Sequence, residues 1–404
     1  MRTRVAMMFG GKTVEHEVSV ISGIQACMAM DTDKYEIIPV YMTKENEMYI
    51  GEGVGDIRSY RNIPELLKKS QRVIMINESG RFLLMPYPAK RFGGPKPVEF
   101  DVAFPVVHGT NVEDGALQGY LKTVGVPFVG PDVTASAISM DKFITKAVLK
   151  EHGIPVLDAE VYTMSDYQEM DSLVDRIEKK FGYPVIIKPV NLGSSVGISV
   201  AKNKAELINS LDDAFRYAVR VLAEHAIANL REINCSVLGD ENDAIASECE
   251  EPLHTKDILS YEDKYVNSGG KGGKNGGSKG TGSKGAGMAN LARKIPADLT
   301  PEKREEVRDL AVRSFKALGC NGVSRIDFMI DEDTGKLYFN EINPIPGSLS
   351  FYLWEPAGVP YTELLDRMIQ LAFRRMRIEE SITFSFDSNI LANANLGGSK
   401  GSKR

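Results

Sequence analysis

The side chains best suited to chemistry lie on two predicted strands near the end of the chain. Side chains alternate between the faces of a strand, so Arg325 and Asp327 share one face of the first strand, and Glu341 and Asn343 share one face of the second. If the register pairs these positions, two carboxylates and an amide converge beside a guanidinium. Mg²⁺ takes hard oxygen ligands, and arginine offers a planar fork to an anion. The pattern predicts a magnesium and phosphate site, with ordinary solvated strand positions as the alternative.

The two strands belong to a predicted hairpin at residues 322–347. Residues 331–335, Asp-Glu-Asp-Thr-Gly, have the composition of a turn. The same alternation places Phe339 on the face of Glu341 and Asn343. The opposite face of the first strand is expected to pack in the core, and it carries Ser324, Ile326, Phe328 and Ile330.

Apolar strands and helices alternate before this hairpin, which is typical of an α/β protein. A helix at 17–30 follows the first strand, and Glu113 and Asp114 lead into another helix that reaches Val124. His108 follows the last of these strands, at a place where functional groups collect in parallel sheets. The apolar strands predicted in this part are 5–9, 35–42 and 101–107.

The middle of the chain combines lysines with a loop of small residues. A predicted helix at 141–152 carries Lys142 and Lys146, and an apolar strand at 183–189 carries Lys188. The loop that follows, Asn-Leu-Gly-Ser-Ser-Val-Gly, has backbone N–H groups that could cradle phosphate oxygens, although the standard phosphate-loop spacings are absent. A plain hairpin turn is the alternative for this loop.

Two further strands, at 219–224 and 232–238, place Glu224 and Glu232 where carboxylates could meet ribose hydroxyls. Solvated edge charges are the alternative interpretation of this pair. The helices predicted at 301–318 and 361–376 have apolar stripes of the kind that pack in a core. The stripe of the second helix consists of Leu364, Leu365, Met368, Ile369 and Ala372.

Composition narrows the class of protein. A chain of 404 residues suits two or three domains, and 43% hydrophobic with 26% charged residues is ordinary for a globular protein. The net charge of −6 argues against a nucleic-acid partner. The four cysteines have no metal-ligand spacing and are expected to be reduced. With no apolar run of membrane-spanning length, we expect a cytoplasmic protein without a membrane partner.

A glycine-lysine-serine tract at 269–287 has almost nothing to bury. A solvated flexible insertion is one interpretation of it. A mobile flap over an active site, whose lysines attract anions, is the other. A similar sequence ends the chain at 397–404.

These motifs, in this order, resemble the D-alanine:D-alanine ligase family of ATP-grasp enzymes over residues 5–373. The resemblance rests on FGGKTVEHEVSV (9–20), HGTNVEDGALQG (108–119), MDKFITK (140–146), VIIKPVNLGSSVG (185–197), YEDKY (261–265), SRID (324–327) and NEINPIPG (340–347). It implies a three-domain α/β ATP-grasp fold with ATP between the central and C-terminal domains. The expected domains are 1–130, 131–225 and 226–385, with the insertion 269–287 and a disordered tail, 386–404.

The resemblance also assigns candidate site residues. It implies that two Mg²⁺ ions, replaceable by Mn²⁺, are held by Asp327, Glu341 and Asn343. ATP would be bound by Lys146, Lys188, Ser194, Ser195, Glu224, His225, Ile227 and Glu232. The first D-alanine and the reacting groups would meet Glu15, His108, Ser194, Lys264, Tyr265, Arg325 and the backbone N–H of Gly347. The second substrate would meet Ser350 or Tyr352.

The implied reaction joins two D-alanines into D-alanyl-D-alanine for peptidoglycan and hence for cell shape, through an acyl phosphate and ADP. A homodimer is implied as well. Pro344 follows Asn343 where the family usually has threonine, and Tyr352 stands where a serine is expected, unless a shift of two residues places Ser350 there. A sister ligase that takes D-lactate, D-serine or another acceptor is therefore an alternative.

The residues leave two further functions open. Another ATP-grasp carboxylate-amine ligase would use the same phosphate and metal groups. A nucleotide-binding regulator would need the lysines, but it would not need the whole metal set of Asp327, Glu341 and Asn343 together with Arg325.

Overall fold

The computed structural model of the chain describes residues 2–89, 93–193, 196–253 and 293–383. These residues form three sheets with helices packed on them. The α/β class predicted from the alternation of strands and helices is confirmed. Within these ranges, no helix combines the length and the apolar composition that crossing a membrane requires.

The first sheet has seven strands in the order β6-β5-β4-β3-β2-β1-β7. Its strands are β1 (Thr3–Gly10), β2 (Tyr35–Met42), β3 (Met48–Ile50), β4 (Gln71–Glu78), β5 (Arg81–Pro86), β6 (Val98–Phe100) and β7 (Val102–Pro105). Its helices are α1 (His16–Ala29), α2 (Ile63–Lys69) and α3 (Ala116–Val124). Strand β1 is parallel to β2 and β7, so the predicted βα opening is confirmed and the loops after β1 and β7 meet at one edge.

The second sheet is antiparallel, in the order β10-β9-β11-β8. Two helices precede it, α4 (Val133–Met140) and α5 (Lys142–Glu151). The strands are β8 (Ala159–Thr163), β9 (Val185–Pro189), β10 (Ser199–Ala201) and β11 (Arg220–His225), and the helices among them are α6 (Met164–Tyr167), α7 (Met170–Phe181) and α8 (Lys204–Tyr217). Its core consists of residues between 162 and 223.

The third sheet carries the predicted hairpin, in the order β14-β13-β12-β15-β16. Its strands are β12 (Leu230–Gly239), β13 (Ala244–Pro252), β14 (Arg293–Lys294), β15 (Gly322–Asp331) and β16 (Lys336–Asn343). The helices of this part are α9 (Pro301–Ala317), α10 (Phe351–Trp354) and α11 (Tyr361–Glu380). One face of the sheet shares a core with α9, which leaves the other face for the charged side chains.

A bulge interrupts the pairing of β15 with β16, and it overturns one prediction. Asp327 pairs with Glu341, but Phe328 pairs with Phe339, so Asn340 is the extra residue. Phe339 therefore lies on the packed face, 1% exposed, with its ring perpendicular to that of Phe328 at a centroid distance of 6.3 Å. The expectation that Phe339 shares a face with Glu341 was wrong because one inserted residue reverses the alternation.

Helix α11 lies late in the sequence but packs in the core of the first sheet. Its predicted apolar stripe is confirmed, since every member is 2% exposed or less: Leu364, Leu365, Met368, Ile369 and Ala372. The three sheets fall within the ranges 1–130, 131–225 and 226–385, while α11 connects the last range to the first.

Candidate active site

The outer face of the third sheet brings the predicted carboxylates together. The Arg325 Nε and Nη2 atoms each donate to one oxygen of Asp327, both at 2.7 Å, and Asn343 Nδ2 donates to Asp327 Oδ2 at 3.1 Å. Glu341 lies opposite Asp327 in the register. Because Arg325 and Asp327 are only 8% and 9% exposed, the alternative of solvated surface positions is wrong for them.

The electrostatics of this face suit a divalent cation. Burial raises the pKa of Asp327 although Arg325 opposes the shift, and the neighbouring Glu341 carboxylate adds to it. A bound cation would relieve that repulsion. In the described ranges no group of three or more His, Cys, Asp or Glu side chains could hold a metal without help. Mg²⁺ is usually bound by one or two carboxylates together with substrate oxygens, so Asp327, Glu341 and the amide oxygen of Asn343 fit it.

A second wall, made by the second sheet and α5, carries buried lysines. Lys146 Nζ and Lys188 Nζ each donate to one oxygen of Glu224, both at 2.5 Å. The lysines are 4% and 5% exposed and Glu224 is fully buried. A solvated edge charge is thus the wrong interpretation of Glu224. Lys146, Lys188 and Glu224 form a triad with one more positive than negative charge.

Protonation in this triad follows from burial and charge. Burial disfavours the carboxylate of Glu224, but the two ammonium groups outweigh it and lower the pKa of Glu224 to about 2. Burial also lowers the pKa of Lys146, and the charge of Lys188 acts in the same direction. The unneutralised charge makes this wall attractive to a polyanion.

The two walls touch through residues that sequence reasoning did not assign to the site. Lys142 Nζ donates to the Leu192 carbonyl at 2.6 Å and lies 3.3 Å from Glu341 Oε2. Lys188 Nζ donates to Asn340 Oδ1 at 3.1 Å. The four-residue spacing of Lys142 and Lys146 on a predicted helix was a usable signal, whereas the outward position of Asn340 depends on the bulge.

Four residues predicted to bind ATP lie where the chain passes from the second sheet to the third. His225 ends β11 and is exposed, Ile227 is half-buried in the connection, and Glu232 is half-buried on β12. Glu232 lies two positions before Asn234, which pairs with Asp327, so it is on the charged face. Glu224, the fourth of them, lies between Lys146 and Lys188.

Glu15 lies at the edge where the loops after β1 and β7 meet. A Cβ on Gly109 would approach Thr13 Oγ1 to 2.3 Å and Glu15 Oε2 to 2.9 Å, and its φ of +85° also favours glycine. A Cβ on Gly193 would lie 3.1 Å from Glu15 Oε2. Glu15 therefore contacts the small-residue loop. The remaining predicted residues of this region lie outside the described residues: Ser194, Ser195, Lys264 and Tyr265, together with the tract 269–287 and the tail 386–404.

His108 is engaged on both sides of its ring. Its Nδ1 lies 2.9 Å from the Ile345 carbonyl and its Nε2 lies 3.0 Å from Ser22 Oγ. Burial lowers the pKa of His108 to about 4, so the ring is neutral at pH 7. A neutral ring that donates from Nδ1 accepts the Ser22 hydroxyl proton at Nε2. Through Nδ1, His108 thus holds the loop that follows β16, at Ile345.

Glu113 is a buried carboxyl that sequence reasoning did not assign to the site. It accepts from the backbone N–H groups of Gly109 at 2.7 Å and Ile345 at 3.0 Å. Burial, with the charge of Glu15 in second place, raises the pKa of Glu113 to about 8. Its position in the motif HGTNVEDG, directly after a strand end, was the available signal.

The loop after β16 has an unusual backbone. Ser348, Leu349 and Ser350 all have φ of +50°, in the left-handed region. For residues other than glycine this costs roughly 1–2 kcal/mol each, so the surroundings must hold the turn. Gly347, whose N–H is expected to meet the reacting groups, is the residue directly before it.

Of the two predicted second-substrate residues, Ser350 is the last residue of this turn and Tyr352 follows two positions later. Ser350 is fully buried, and its hydroxyl has no hydrogen-bond partner within the described part of the chain. The Tyr352 hydroxyl lies 3.4 Å from Glu250 Oε1, and the Arg293 guanidinium lies 3.9 Å from the Tyr352 ring centroid while it donates to Glu250 Oε2 at 2.7 Å. Tyr352 therefore borders the charged face, because Glu250 lies there beside Asn234.

Two family models match the chain. The model described as D-ala D-ala ligase N-terminus matches residues 4–131. The model described as D-ala D-ala ligase C-terminus matches residues 148–274 and 283–370. Between them, the models cover all three sheets.

The curated relatives and solved structures described next are also named as ligases of D-alanine. The D-alanine--D-alanine ligase of Caldicellulosiruptor bescii is 38% identical over 399 residues, covering 95% of this chain and 99% of the relative. That of Thermoanaerobacter sp. strain X514 is 40% identical over 382 residues, covering 92% and 96%. The D-alanine-D-alanine ligase structure from Coxiella burnetii has a TM-score of 0.74 at 27% identity, covering 94% and 96%. The structure of the VanG D-Ala:D-Ser ligase from Enterococcus faecalis has a TM-score of 0.74 at 29% identity, covering 92% of this chain and 100% of that one.

Proposed function

The chain belongs to the D-alanine–D-alanine ligase family, with its ATP-grasp fold, and we propose that it joins two D-alanines into D-alanyl-D-alanine for peptidoglycan. The reaction consumes ATP and passes through an acyl phosphate. Support comes from family models over both halves and from relatives of 35–40% identity named for this activity.

One observation carries the proposal: buried lysines of helix α5 and of the second sheet lie against the carboxylate-bearing face of the third sheet. The contacts are Lys142 with Glu341 and Lys188 with Asn340. Phosphoryl transfer depends on positioning and charge neutralisation more than on a covalent residue. Opposed walls of cations and of oxygen ligands meet both requirements.

In this assignment, Lys146 and Lys188 bind ATP phosphates, and His225, Ile227 and Glu232 border the adenosine. Asp327, Glu341 and Asn343 would hold two Mg²⁺ ions, which neutralise phosphate charge when bound. Glu224 holds both lysine side chains in place through one hydrogen bond to each.

Around the amino acids, Glu15 receives the ammonium of the first D-alanine, with Ser194 and Tyr265 as its hydrogen-bonding partners. Arg325 and the N–H of Gly347 stabilise the oxyanion that forms when the second D-alanine attacks. Arg325 is suited to this because its bond to Asp327 fixes the guanidinium plane. Ser350 or Tyr352 would border the second substrate.

We further propose a cytoplasmic homodimer. The free state of all four cysteines supports a reducing compartment. The dimer follows from the family resemblance, and light scattering on a sizing column would test it.

The decisive experiment measures ADP release by the purified protein with ATP, Mg²⁺ and D-alanine, and identifies the product by mass. We expect one D-alanyl-D-alanine per ADP, and no dipeptide with L-alanine. ADP release without dipeptide under every acceptor would contradict a ligase.

A second candidate, a ligase with D-serine as acceptor, is favoured by the similarity to the VanG D-Ala:D-Ser ligase over 92% of this chain. The same assay with D-serine or D-lactate added separates the two. A mixed product in the absence of D-alanyl-D-alanine would retain the ATP and metal assignments and replace the acceptor.

A further inference from the structure

We propose that Ser22, on helix α1, is a positioning residue that fixes the loop of residues 345–350 and thereby the oxyanion donor Gly347. This inference rests on the proposed ligase function for its chemistry. It rests on the hydrogen bonds of Ser22 for its geometry.

The Ser22 hydroxyl is a junction between two domains. Its Oγ accepts the backbone N–H of Ser348 at 3.0 Å and lies 3.0 Å from His108 Nε2, to which it donates. Ser22 is 1% exposed, so these bonds are shielded from bulk solvent. One hydroxyl thus ties the loop to α1 and to the strand end at His108.

Other side chains of the first sheet hold the residues on both sides of Gly347. The carbonyl of Ile345 accepts from His108, and its N–H donates to Glu113. The Ser348 hydroxyl donates to Gln25 Oε1 at 2.8 Å. The N-terminal domain therefore holds the residues on both sides of Gly347. The loop itself follows β16 of the third sheet.

The left-handed turn explains why such holding is needed. Three consecutive non-glycine residues at positive φ would relax to other conformations if nothing opposed them. Ser348, the first residue of that turn, donates its N–H to Ser22. Losing it frees the segment that carries the Gly347 N–H, and a donor displaced by a fraction of an ångström stabilises an oxyanion poorly.

The consequence appears in the second half of the reaction. There the amine of the second D-alanine forms a C–N bond with the acyl carbonyl, the C–O bond to phosphate breaks, and inorganic phosphate leaves with the electron pair while the amine proton passes to solvent. If the oxyanion is poorly held, this step slows. Water then competes for the acyl phosphate, which returns D-alanine and phosphate, so ADP forms without dipeptide.

The test compares Ser22→Ala with Ser19→Ala, a matched control on the same helix. Ser19 is fully buried and also makes two hydrogen bonds, from Gly10 N–H at 2.8 Å and to the Val106 carbonyl at 2.7 Å, both within the first sheet. We expect similar losses of melting temperature. Of these two variants, only Ser22→Ala should lower kcat for dipeptide formation, by about tenfold. Its KM for ATP should be unchanged, and it should form less dipeptide per ADP.

A second variant keeps the test decisive if Ser22→Ala folds poorly. Gln25 is half-exposed, so Gln25→Ala should fold, and it should lower the dipeptide-to-ADP ratio in the same direction by a smaller factor. Hydrogen–deuterium exchange of a peptide spanning 345–350 should quicken in Ser22→Ala and Gln25→Ala but not in Ser19→Ala.

Wild-type exchange and a wild-type product ratio in Ser22→Ala would overturn the inference while the ligase function stands. An equal fall of the ratio in Ser19→Ala would also overturn it, because the effect would then be general destabilisation. If the wild-type chain itself makes no dipeptide or mixed product, the ligase function and the proposed chemical role of Ser22 fall together.

Discussion

Replacing Glu224 by glutamine removes the negative charge between Lys146 and Lys188 while keeping the shape of the side chain. The glutamine amide could accept from one lysine only, and its NH₂ group would face the other ammonium. Two buried cations would then share one site without a counter-ion. We expect the variant to be destabilised and one lysine to give up its proton.

The magnitude follows from the pKa of Glu224, which the lysines lower from 4.5 to about 2. At about 1.4 kcal/mol per pKa unit, this difference corresponds to roughly 3 kcal/mol of stability at pH 7. Breaking a buried ion pair typically costs about 3–5 kcal/mol, which agrees. For a domain of the usual size, roughly 3 kcal/mol lowers the melting temperature by about 6–12 °C.

Because the pKa of Glu224 is lowered on folding, its contribution is complete above pH 4.5 and is lost as the pH falls from there towards 2. The assay is therefore the melting temperature of wild type and Glu224→Gln from pH 7 down to about 3.5, with the difference shrinking below pH 4.5. Glu363→Gln is the control, since its ion pair with Arg367 is exposed and should matter by less than about 1 kcal/mol. A Glu224→Gln melting temperature within 1–2 °C of wild type at pH 7, at roughly 2–4 °C per kcal/mol, would refute the argument that the charge stabilises the triad.

Three further predictions address the metal site, the loop at Gly109 and the thiols. Glu341→Gln should raise the Mg²⁺ concentration for half-maximal ADP release by at least the roughly tenfold typical of changes around a metal, and an unchanged titration would remove Glu341 from the metal site. Gly109→Ala should raise the KM for D-alanine by displacing the Glu15 carboxylate, and an unchanged KM would separate Gly109 from substrate binding. Burial raises the pKa of Cys27 to about 12 and that of Cys320 to about 11, so the native protein should react slowly with a disulfide reagent at pH 8, whereas all four thiols should react in urea. Rapid labelling of the native protein would contradict the last prediction.

The alternation of side chains predicted much of the fold and of the charged face. The predicted convergence is observed because the bulge begins only after Asp327. It leaves Arg325 paired with Asn343 and Asp327 paired with Glu341. Periodicity also located the helices, since an apolar stripe is a local property of the sequence. Such patterns predict what each element needs to bury.

The same reasoning could not find features that depend on one inserted residue or on a tertiary contact. Asn340 faces the lysines only because the pairing slips between Asp327 and Phe328. The left-handed turn at 348–350 contains no glycine, so composition gives no sign of it. The bond between Ser22 and Ser348 joins positions 326 residues apart in sequence, and no local pattern records such a distance.

The buried core of the second sheet is separate from the other two cores among the described residues. The core around helix α11 contains side chains of the first sheet together with Val323 and Leu238 of the third, so these two sheets share packing. The helices before the second sheet also pack with the third sheet, since Ala135 and Leu149 lie in its core. A rotation of the second sheet against the rest would therefore have to part polar contacts, among them Lys146–Glu224 and Lys188–Asn340.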